Sequence, residues 1–173
     1  YKSAHRLCVA DYPVTYAASG DHLNAIDMIF GKDYTAGGVD YTMRAPSEGS
    51  DSTGSGESKR GTPQSNEWDR ILDKNGGYIK NWVEMFSWGQ DSEDASLRAV
   101  RGYFSARYWI SYATTDSAPN LGFSPVLEVL NPGTLGSDGL KAVTLDLGGG
   151  KLGGSSDTIQ IIVKTGESFT APA

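Results

Sequence analysis

The sequence is poor in the residues that form disulfides and metal centres. Among its 173 residues it has one cysteine, Cys8, and two histidines, His5 and His22. A single cysteine cannot form an intrachain disulfide, which excludes a small secreted domain held together by disulfide bonds. A copper site of paired thiolates and an iron site of several imidazoles are also excluded, and no cofactor is expected.

Positive charge and long apolar runs are scarce as well. Fifteen Lys and Arg residues stand against 21 Asp and Glu residues, for a formal net charge of -6. This is the wrong sign for a general binder of nucleic acid. No run approaches the roughly 18 to 20 apolar residues of a membrane helix, so direct insertion into a membrane is not expected. The chain begins at Tyr1 and not at Met, which we interpret as a piece of a longer protein.

Glycine and aromatic residues are abundant instead. The 22 glycines are close to twice the usual share of roughly 7%, and there are nine Tyr and four Trp residues. The length suits one domain of ordinary size with something small appended. These features predict an α+β protein with many turns, short strands and little helix.

Two helices are predicted. The first covers residues 21–30 with Ser19 or Asp21 as its N-cap. Its apolar residues at helical spacing are Leu23, Ile26 and Phe30. The second begins after Ser65 as its cap and ends at Asn75. Its first turn carries Glu67 and Asp69, and its apolar face consists of Trp68, Ile71 and Leu72.

The rest of the chain is predicted to form strands and loops. Residues 48–65 consist almost wholly of Gly, Ser, Thr, Pro and charged residues, which predicts a surface loop. Aromatic and β-branched residues dominate residues 78–130 and predict short strands, the last at residues 125–130. Residues 142–147 and 158–164 alternate as the two strands of a β-hairpin around a Gly-rich segment.

Four local motifs occur in a definite order. They are Arg44-Ala45-Pro46-Ser47 continued by Asn66-Glu67-Trp68-Asp69, Asn81-Trp82 through Trp88-Gly89-Gln90-Asp91, Arg98-Ala99-Val100-Arg101-Gly102, and Gly122-Phe123. Together they resemble the formylglycine-generating-enzyme-like branch of the C-type lectin fold. The resemblance implies a C-type lectin-like α+β domain over residues 1–132, with two short helices and twisted antiparallel strands. Gly89 stands where relatives often carry Cys, and Ser124 replaces an Arg that belongs to a buried network.

Within this fold, the segment before the terminal Gly-Phe is the one varied in the ligand-binding proteins of diversity-generating retroelements. Here that segment is residues 103–120. Such elements mutate template adenines and never produce Lys, Glu, Gln, Met or Trp. Only Trp109 in the segment belongs to that unreachable set. The resemblance therefore implies a retroelement variable protein with a diversified binding surface.

The composition of the same segment also favours binding. Tyrosines interleaved with small polar residues are typical of evolved recognition surfaces, whereas the alternative is that these rings are core residues. Trp109 is assigned to the core. The predicted ligand-binding residues are Tyr103, Ser105, Ala106, Tyr108, Ile110, Ser111, Tyr112, Thr114 and Asp116.

The C-terminal segment, residues 133–173, resembles the opening of an internalin-type B-repeat, a small β module of bacterial surface proteins. The resemblance implies a partial β-hairpin module and a parent protein on a bacterial cell surface or secreted. A phage tail tip is the alternative setting. The expected partner is a protein or glycan on another cell or on a phage host.

Other functions are weighed against this one. Neither histidine has a partner pattern that identifies an enzyme, so the domain is expected to be non-enzymatic. A calcium-dependent lectin site is disfavoured because Ala118-Pro119-Asn120 lacks the carboxylate ligand. A structural calcium at Asp91, Glu93 and Asp94 is possible, but a solvated acidic turn is preferred.

Arg98 and Arg101 are interpreted as structural ion pairs. A fixed-specificity adhesin, a carbohydrate-binding domain or a structural spacer remains the alternative.

Overall fold

A computed structural model of the chain describes residues 7–10, 12–130, 140–145 and 159–168. Within these residues the protein is α+β, with two helices and mostly antiparallel strands. The helices are α1 (Gly20–Ala25) and α2 (Glu67–Lys74). The strands are β1 (Leu7–Val9), β2 (Lys32–Ala36), β3 (Val39–Arg44), β4 (Asp51–Thr53), β5 (Arg60–Thr62), β6 (Phe86–Ser92), β7 (Leu97–Gly102), β8 (Trp109–Ala113), β9 (Leu121–Gly122), β10 (Val126–Val129), β11 (Leu140–Leu145) and β12 (Ile159–Lys164).

The strands form four sheets. One four-stranded sheet has the order β8-β7-β6-β9, in which β6, β7 and β8 are antiparallel and β9 runs parallel to β6. A second four-stranded sheet has the order β1-β10-β3-β2. Two antiparallel pairs, β4 with β5 and β11 with β12, complete the set. The predicted α+β class is confirmed.

Contacts divide the chain into two compact units. The larger unit consists of Cys8–Lys32 and Met43–Leu127, and it contains both helices and the β8-β7-β6-β9 sheet. The smaller unit takes the described residues of Tyr1–Leu7, Asp33–Thr42 and Glu128–Ala173.

In the smaller unit, β11 pairs with β12 in antiparallel register, so the predicted C-terminal strand pair is confirmed. The backbone N–H of Lys164 also donates to the carbonyl of Gly37 at 3.1 Å. The Gly-rich segment at residues 148–154 and the predicted domain boundary after residue 132 lie outside the described residues.

Helix α1 is shorter than its apolar spacing predicts. Ser19 is the N-cap, and its Oγ accepts the N–H of His22 at 3.1 Å, as expected. The helix ends at Ala25 and not at residue 30, because Asp27 adopts a left-handed backbone with φ +64°. Phe30, which the spacing places on the helix face, is 62% exposed. The apolar i, i+3, i+4 pattern therefore extends beyond Ala25, the last residue of the helix, although the backbone is no longer helical there.

Helix α2 matches its prediction except at its cap. Asn66, and not Ser65, is the N-cap, and its Oδ1 accepts the N–H of Asp69 at 2.9 Å. Trp68 and Leu72 are buried together with Ile79, as the apolar face predicts. The helix ends at the expected Asn75.

The prediction of a plain surface loop for residues 48–65 is wrong. The segment contains the β4–β5 hairpin, and Glu48 at its start is fully buried. The N–H groups of Glu48 and Gly49 both donate to Oδ2 of Asp91, a residue more than 40 positions away. These two long-range hydrogen bonds hold the beginning of the segment in the interior. The polar composition of the segment does not predict them.

The β8-β7-β6-β9 sheet is covered on both sides. On the α1 side, Phe86, Trp88 and Val100 pack with Leu23 of α1 in the main apolar cluster. The indole of Trp88 also donates to the carbonyl of Ala18 at 2.7 Å.

The α2 side is more polar. There Arg101 meets Asp69 of α2, and the indole of Trp109 donates to the carbonyl of Gly49 at 2.9 Å. Trp109 is 2% exposed, which confirms its assignment to the core. Ser124, at the position where the resemblance implies an arginine, is buried and donates its N–H to Oγ of Ser87 at 2.9 Å. A hydroxyl thus satisfies the backbone at that position.

Substitution of Gly61 by Ala should destabilise the larger unit. A Cβ at this position would lie 1.9 Å from the carbonyl oxygen of Glu48 and 2.7 Å from Nη1 of Arg101. Because backbone and a buried cation must both move, we expect a loss of about 1–3 kcal/mol in the free energy of unfolding by urea. Gly76→Ala is the control, since nothing lies within 4 Å of its Cβ position. Equal stability of the two variants would contradict the packing described here.

Candidate ligand-binding surface

The predicted binding segment forms the loop after β7 and the edge strand β8. Cross-strand pairs run from Arg101 opposite Trp109 to Leu97 opposite Ala113. Alternate residues of a strand point to opposite sides of its sheet. Ile110 and Tyr112 therefore share the α1 side, while Ser111 shares the α2 side with Trp109. The nine predicted residues consequently do not form one surface.

Four of the nine lie together on the α1 side. Tyr103, Tyr108, Ile110 and Tyr112 are partly buried and pack against the main apolar cluster. Their rings surround Phe86. Its ring centroid lies 4.8 Å from that of Tyr103, 5.3 Å from that of Tyr112 and 6.4 Å from that of Tyr108.

Phe104 completes this group of rings. It meets Tyr103 at 4.7 Å and Tyr108 at 4.9 Å, in both cases nearly at right angles, and it is 50% exposed. We call Phe86, Tyr103, Phe104, Tyr108 and Tyr112 the aromatic cluster. Phe86 forms its buried base, and the other four rings remain accessible to solvent in part.

The three tyrosines of the aromatic cluster interact electrostatically. The pKa of Tyr112 is raised, first by burial and then by the neighbouring Tyr103, Tyr108 and Asp116. None of the three tyrosine hydroxyls donates to or accepts from another residue that the structure describes. The cluster therefore offers hydrogen-bonding groups as well as apolar area to an external molecule.

Three other predicted residues face internal partners. Ser105 donates its hydroxyl to the carbonyl of Glu57 at 2.8 Å, and the carbonyl of Ala106 accepts the indole N–H of Trp68 at 2.8 Å. The hydroxyl of Ser111 donates to the carboxylate of Glu93. These contacts separate Ser105, Ala106 and Ser111 from the aromatic cluster.

The last two predicted residues follow β8. The N–H of Asp21 in α1 donates to the carbonyl of Thr114 at 2.9 Å, which ties the end of the strand to the helix. Asp116 is exposed, and its N–H donates to the carbonyl of Ala113 at 2.9 Å. The charge of Asp116 adds to the raised pKa of Tyr112, so we place this residue at the border of the aromatic cluster.

Sequence reasoning missed two members of the aromatic cluster. Phe104 lies in the predicted segment, so its position was an available signal. Phe86 lies on β6, and only the pairing of β6 with β7 brings it under the tyrosines. Val83, 63% exposed, was missed too and forms a parallel bridge with Tyr103.

An ion cluster around Asp69 connects helix α2 to the sheet. Arg101 donates to both carboxylate oxygens of Asp69, at 2.9 and 3.2 Å, and both side chains are fully buried. Arg107 and Arg60 approach the same carboxylate at 3.1 and 3.3 Å. Burial raises the pKa of Asp69, but the hydrogen bonds and charges of Arg101 lead the opposing effects and leave it lowered. The expected ion pair of Arg101 is confirmed.

The side chain of Arg98 also binds groups within the protein, but these groups are backbone carbonyls and not a carboxylate. Its guanidinium donates to the carbonyls of Gly89 and Gln90 and lies 5.3 Å from the ring of Phe30. Neither this arginine nor Arg101 is free to bind an anion.

Glu48 is a buried carboxyl group with an unusual environment. Neither of its carboxyl oxygens has a hydrogen-bond partner among the residues that the structure describes. Burial raises its pKa well above the usual value, and Asp91 and Asp69 add to this effect while Arg101 and Arg98 oppose it. A Cβ on Gly89 would lie 2.5 Å from this carboxyl group, so Glu48 occupies the space that a side chain at position 89 would need.

Two of the acidic residues that could have bound calcium accept backbone hydrogen bonds within the protein. Asp91 accepts the N–H groups of Glu48 and Gly49, and Asp94 accepts those of Ser96 and Leu97 at 2.7 and 2.9 Å. The residues that the structure describes contain no group of three or more His, Cys, Asp or Glu side chains suited to a metal ion. Nor do these residues contain a helix of the length and apolar character that a membrane crossing requires.

Comparison of the chain with protein-family models, with curated proteins and with solved structures finds no match. The resemblance to the C-type lectin fold therefore stays a prediction.

Replacing Asp69 by Asn should strongly destabilise the larger unit. The change leaves the charge of Arg101 buried without its counter-ion, for which a loss of about 3–5 kcal/mol is typical. Asp73→Asn is the matched control, one turn further along α2. Asp73 also contacts Arg107 but is 54% exposed, so its loss should cost less than about 1 kcal/mol. Urea unfolding measures both values, and equal losses would contradict the importance of burial.

Glu48→Gln should change the pH dependence of stability. Below the usual pKa of 4.5 the carboxyl is protonated in both the folded and the unfolded state. As pH rises above 4.5, the unfolded state releases the proton while the folded state holds it, so Glu48 progressively loses its stabilising contribution. The unfolding free energy of the variant should therefore rise relative to that of the native chain between pH 4 and pH 7. Glu57→Gln, at an exposed position, should not show this trend. A difference that stays constant with pH would refute the raised pKa.

Proposed function

We propose that the larger unit is a non-enzymatic ligand-binding domain whose contact surface is the aromatic cluster with Asp116 at its border. Recognition would be noncovalent, through ring area and hydroxyl groups. The observation that carries the proposal is the combination of accessible rings with three tyrosine hydroxyls that lack partners among the described residues. Tyr and Phe rings anchored on strands supply contact area with little loss of side-chain entropy.

Burial within the segment supports the finer proposal that it is diversified. Every residue from Arg98 to Gly102 on β7 is buried, as a constant framework strand should be. Among the residues 103–120, Trp109 alone is buried, and it alone belongs to the set that retroelement mutagenesis cannot produce. The positions open to variation are therefore the positions that reach solvent at least in part.

The wider proposal follows from the resemblances in the sequence. The domain would be a C-type lectin-like variable protein, displayed on a bacterial cell surface or secreted, with the C-terminal strand pair as part of a B-repeat-like module. A phage tail tip is the alternative setting. The partner would be a protein or a glycan on another cell or on a phage host. A fixed-specificity adhesin with the same surface is the second candidate.

Tyr108→Ala should weaken binding without unfolding the domain. The probe is the strongest ligand that the native chain retains from a combined glycan and random-peptide array. Loss of one ring anchor should lower its affinity about fivefold or more, equivalent to about 1 kcal/mol. Ser111→Ala, on the other side of the same strand, should leave the affinity nearly unchanged. Equal affinities, or unfolding of Tyr108→Ala alone, would favour the core interpretation.

Sequencing the locus in several isolates separates the two candidates. A diversified receptor should have a template repeat and a reverse transcriptase nearby. Its substitutions should fall in codons for residues 103–120, with the codons for Trp109 and for residues 98–102 unchanged. An invariant segment without a template would favour the fixed-specificity adhesin.

A further inference from the structure

The border of the aromatic cluster is acidic. Asp116 is exposed and lies near the Tyr112 hydroxyl, whose ionisation it opposes. Glu84 is also exposed, and its N–H donates to the carbonyl of Tyr103 at 3.1 Å, so the main chain of a second acidic residue lies next to that of Tyr103.

The basic residue closest in register to the rings forms no ion pair with this acidic border. Arg98 is the cross-strand partner of Tyr112. Its guanidinium is directed to the carbonyls of Gly89 and Gln90 and lies over the ring of Phe30. Its guanidinium is therefore held by internal acceptors. Asp116 and Glu84 form no ion pair with any residue that the structure describes, so their charges are open to an external cation.

The rings themselves favour the same kind of ligand. The faces of aromatic rings carry negative potential, and rings set at different angles can surround a positive group. Phe104 stands at interplanar angles of 72° and 81° to Tyr103 and Tyr108, respectively, and is in edge-to-face contact with both, at 4.7 and 4.9 Å. A cation would therefore approach the solvent-facing sides of these rings and not the space between them. Phenolic oxygens that lack internal partners can also accept hydrogen bonds from a cationic group.

We propose that the aromatic cluster recognises an organic cation, either a guanidinium or ammonium group of a partner protein or a quaternary ammonium group. This inference rests on the proposed function and specifies the chemistry of the ligand. The ring faces would attract the cation, and Asp116 would neutralise its charge at the border. Arginine, lysine and trimethylammonium groups share this chemistry, so the experiment separates them.

Two matched pairs of small probes test the charge directly. Choline is compared with 3,3-dimethylbutan-1-ol, which has the same shape without the charge. N-acetyl-arginine amide is compared with N-acetyl-citrulline amide. Binding is followed by the amide and tyrosine-ring resonances of the whole chain in NMR titrations. We expect shifts at residues 103–116 and a dissociation constant about threefold to thirtyfold lower for at least one cation than for its neutral partner.

The role of the acidic border is tested with Asp116→Asn. This variant should bind the preferred cation at least about twofold more weakly, and raising the salt concentration should weaken binding by the native chain. Asp51→Asn is the control, because Asp51 is exposed on β4 and bonds to its neighbour Ser52 at 2.6 Å. It should bind like the native chain.

The outcomes distinguish this inference from the proposed function. If only choline binds more tightly than its neutral partner, the ligand is a quaternary ammonium group. If only the arginine probe does so, the ligand is a guanidinium group of a partner protein. Equal binding of charged and neutral probes at residues 103–116 overturns the cation inference and leaves a ligand-binding surface in place. An absence of shifts there also overturns it, and the loss of array binding in Tyr108→Ala then decides separately whether the proposed function stands.

Discussion

The buried ion pair between Arg101 and Asp69 is the interaction on which the larger unit depends. Arg101 lies on the central strand β7, and Asp69 lies in the first turn of α2. The same guanidinium also donates to the carbonyl of Glu48 at 2.8 Å, so one side chain joins the sheet, the helix and the start of the 48–65 segment. Two charges removed from water are tolerated only when they are paired and hydrogen-bonded to each other, which gives the geometry little freedom.

That constraint lets the two sides of the sheet take different roles. On the α2 side the polar groups bind partners within the protein. Asp69 pairs with Arg101, the indole of Trp109 donates to the carbonyl of Gly49, and the hydroxyl of Ser111 donates to Glu93. The α1 side leaves the tyrosine hydroxyls of the aromatic cluster without internal partners among the described residues. A strand that is firmly attached on one side can present varied side chains on the other without losing its position. This division is the physical basis of the proposed function.

Glu48 shows how tertiary contacts can override composition. A segment of Gly, Ser and charged residues is normally exposed, and most of residues 48–65 are. Glu48 is nevertheless buried, because Asp91 and Arg101 bind its backbone and Gly89 leaves room for its carboxyl group. Gly89 and the buried carboxyl group of Glu48 are therefore coupled, because a side chain at position 89 would need the space that Glu48 occupies.

The sequence by itself determined the α+β class, the start of both helices to within a residue or two, the strand pair near the C-terminus and the burial of Trp109. Each of these follows from local periodicity, capping or residue type, which neighbouring residues encode. The same reasoning placed Tyr103, Tyr108, Ile110 and Tyr112 in a single candidate surface, and the structure brings these four together. Only the tertiary structure decided that Ser105, Ala106 and Ser111 face elsewhere, that Phe86 underlies the rings and that α1 ends before Phe30. Those outcomes depend on strand register and on contacts between residues far apart in the chain, and no local pattern carries that information.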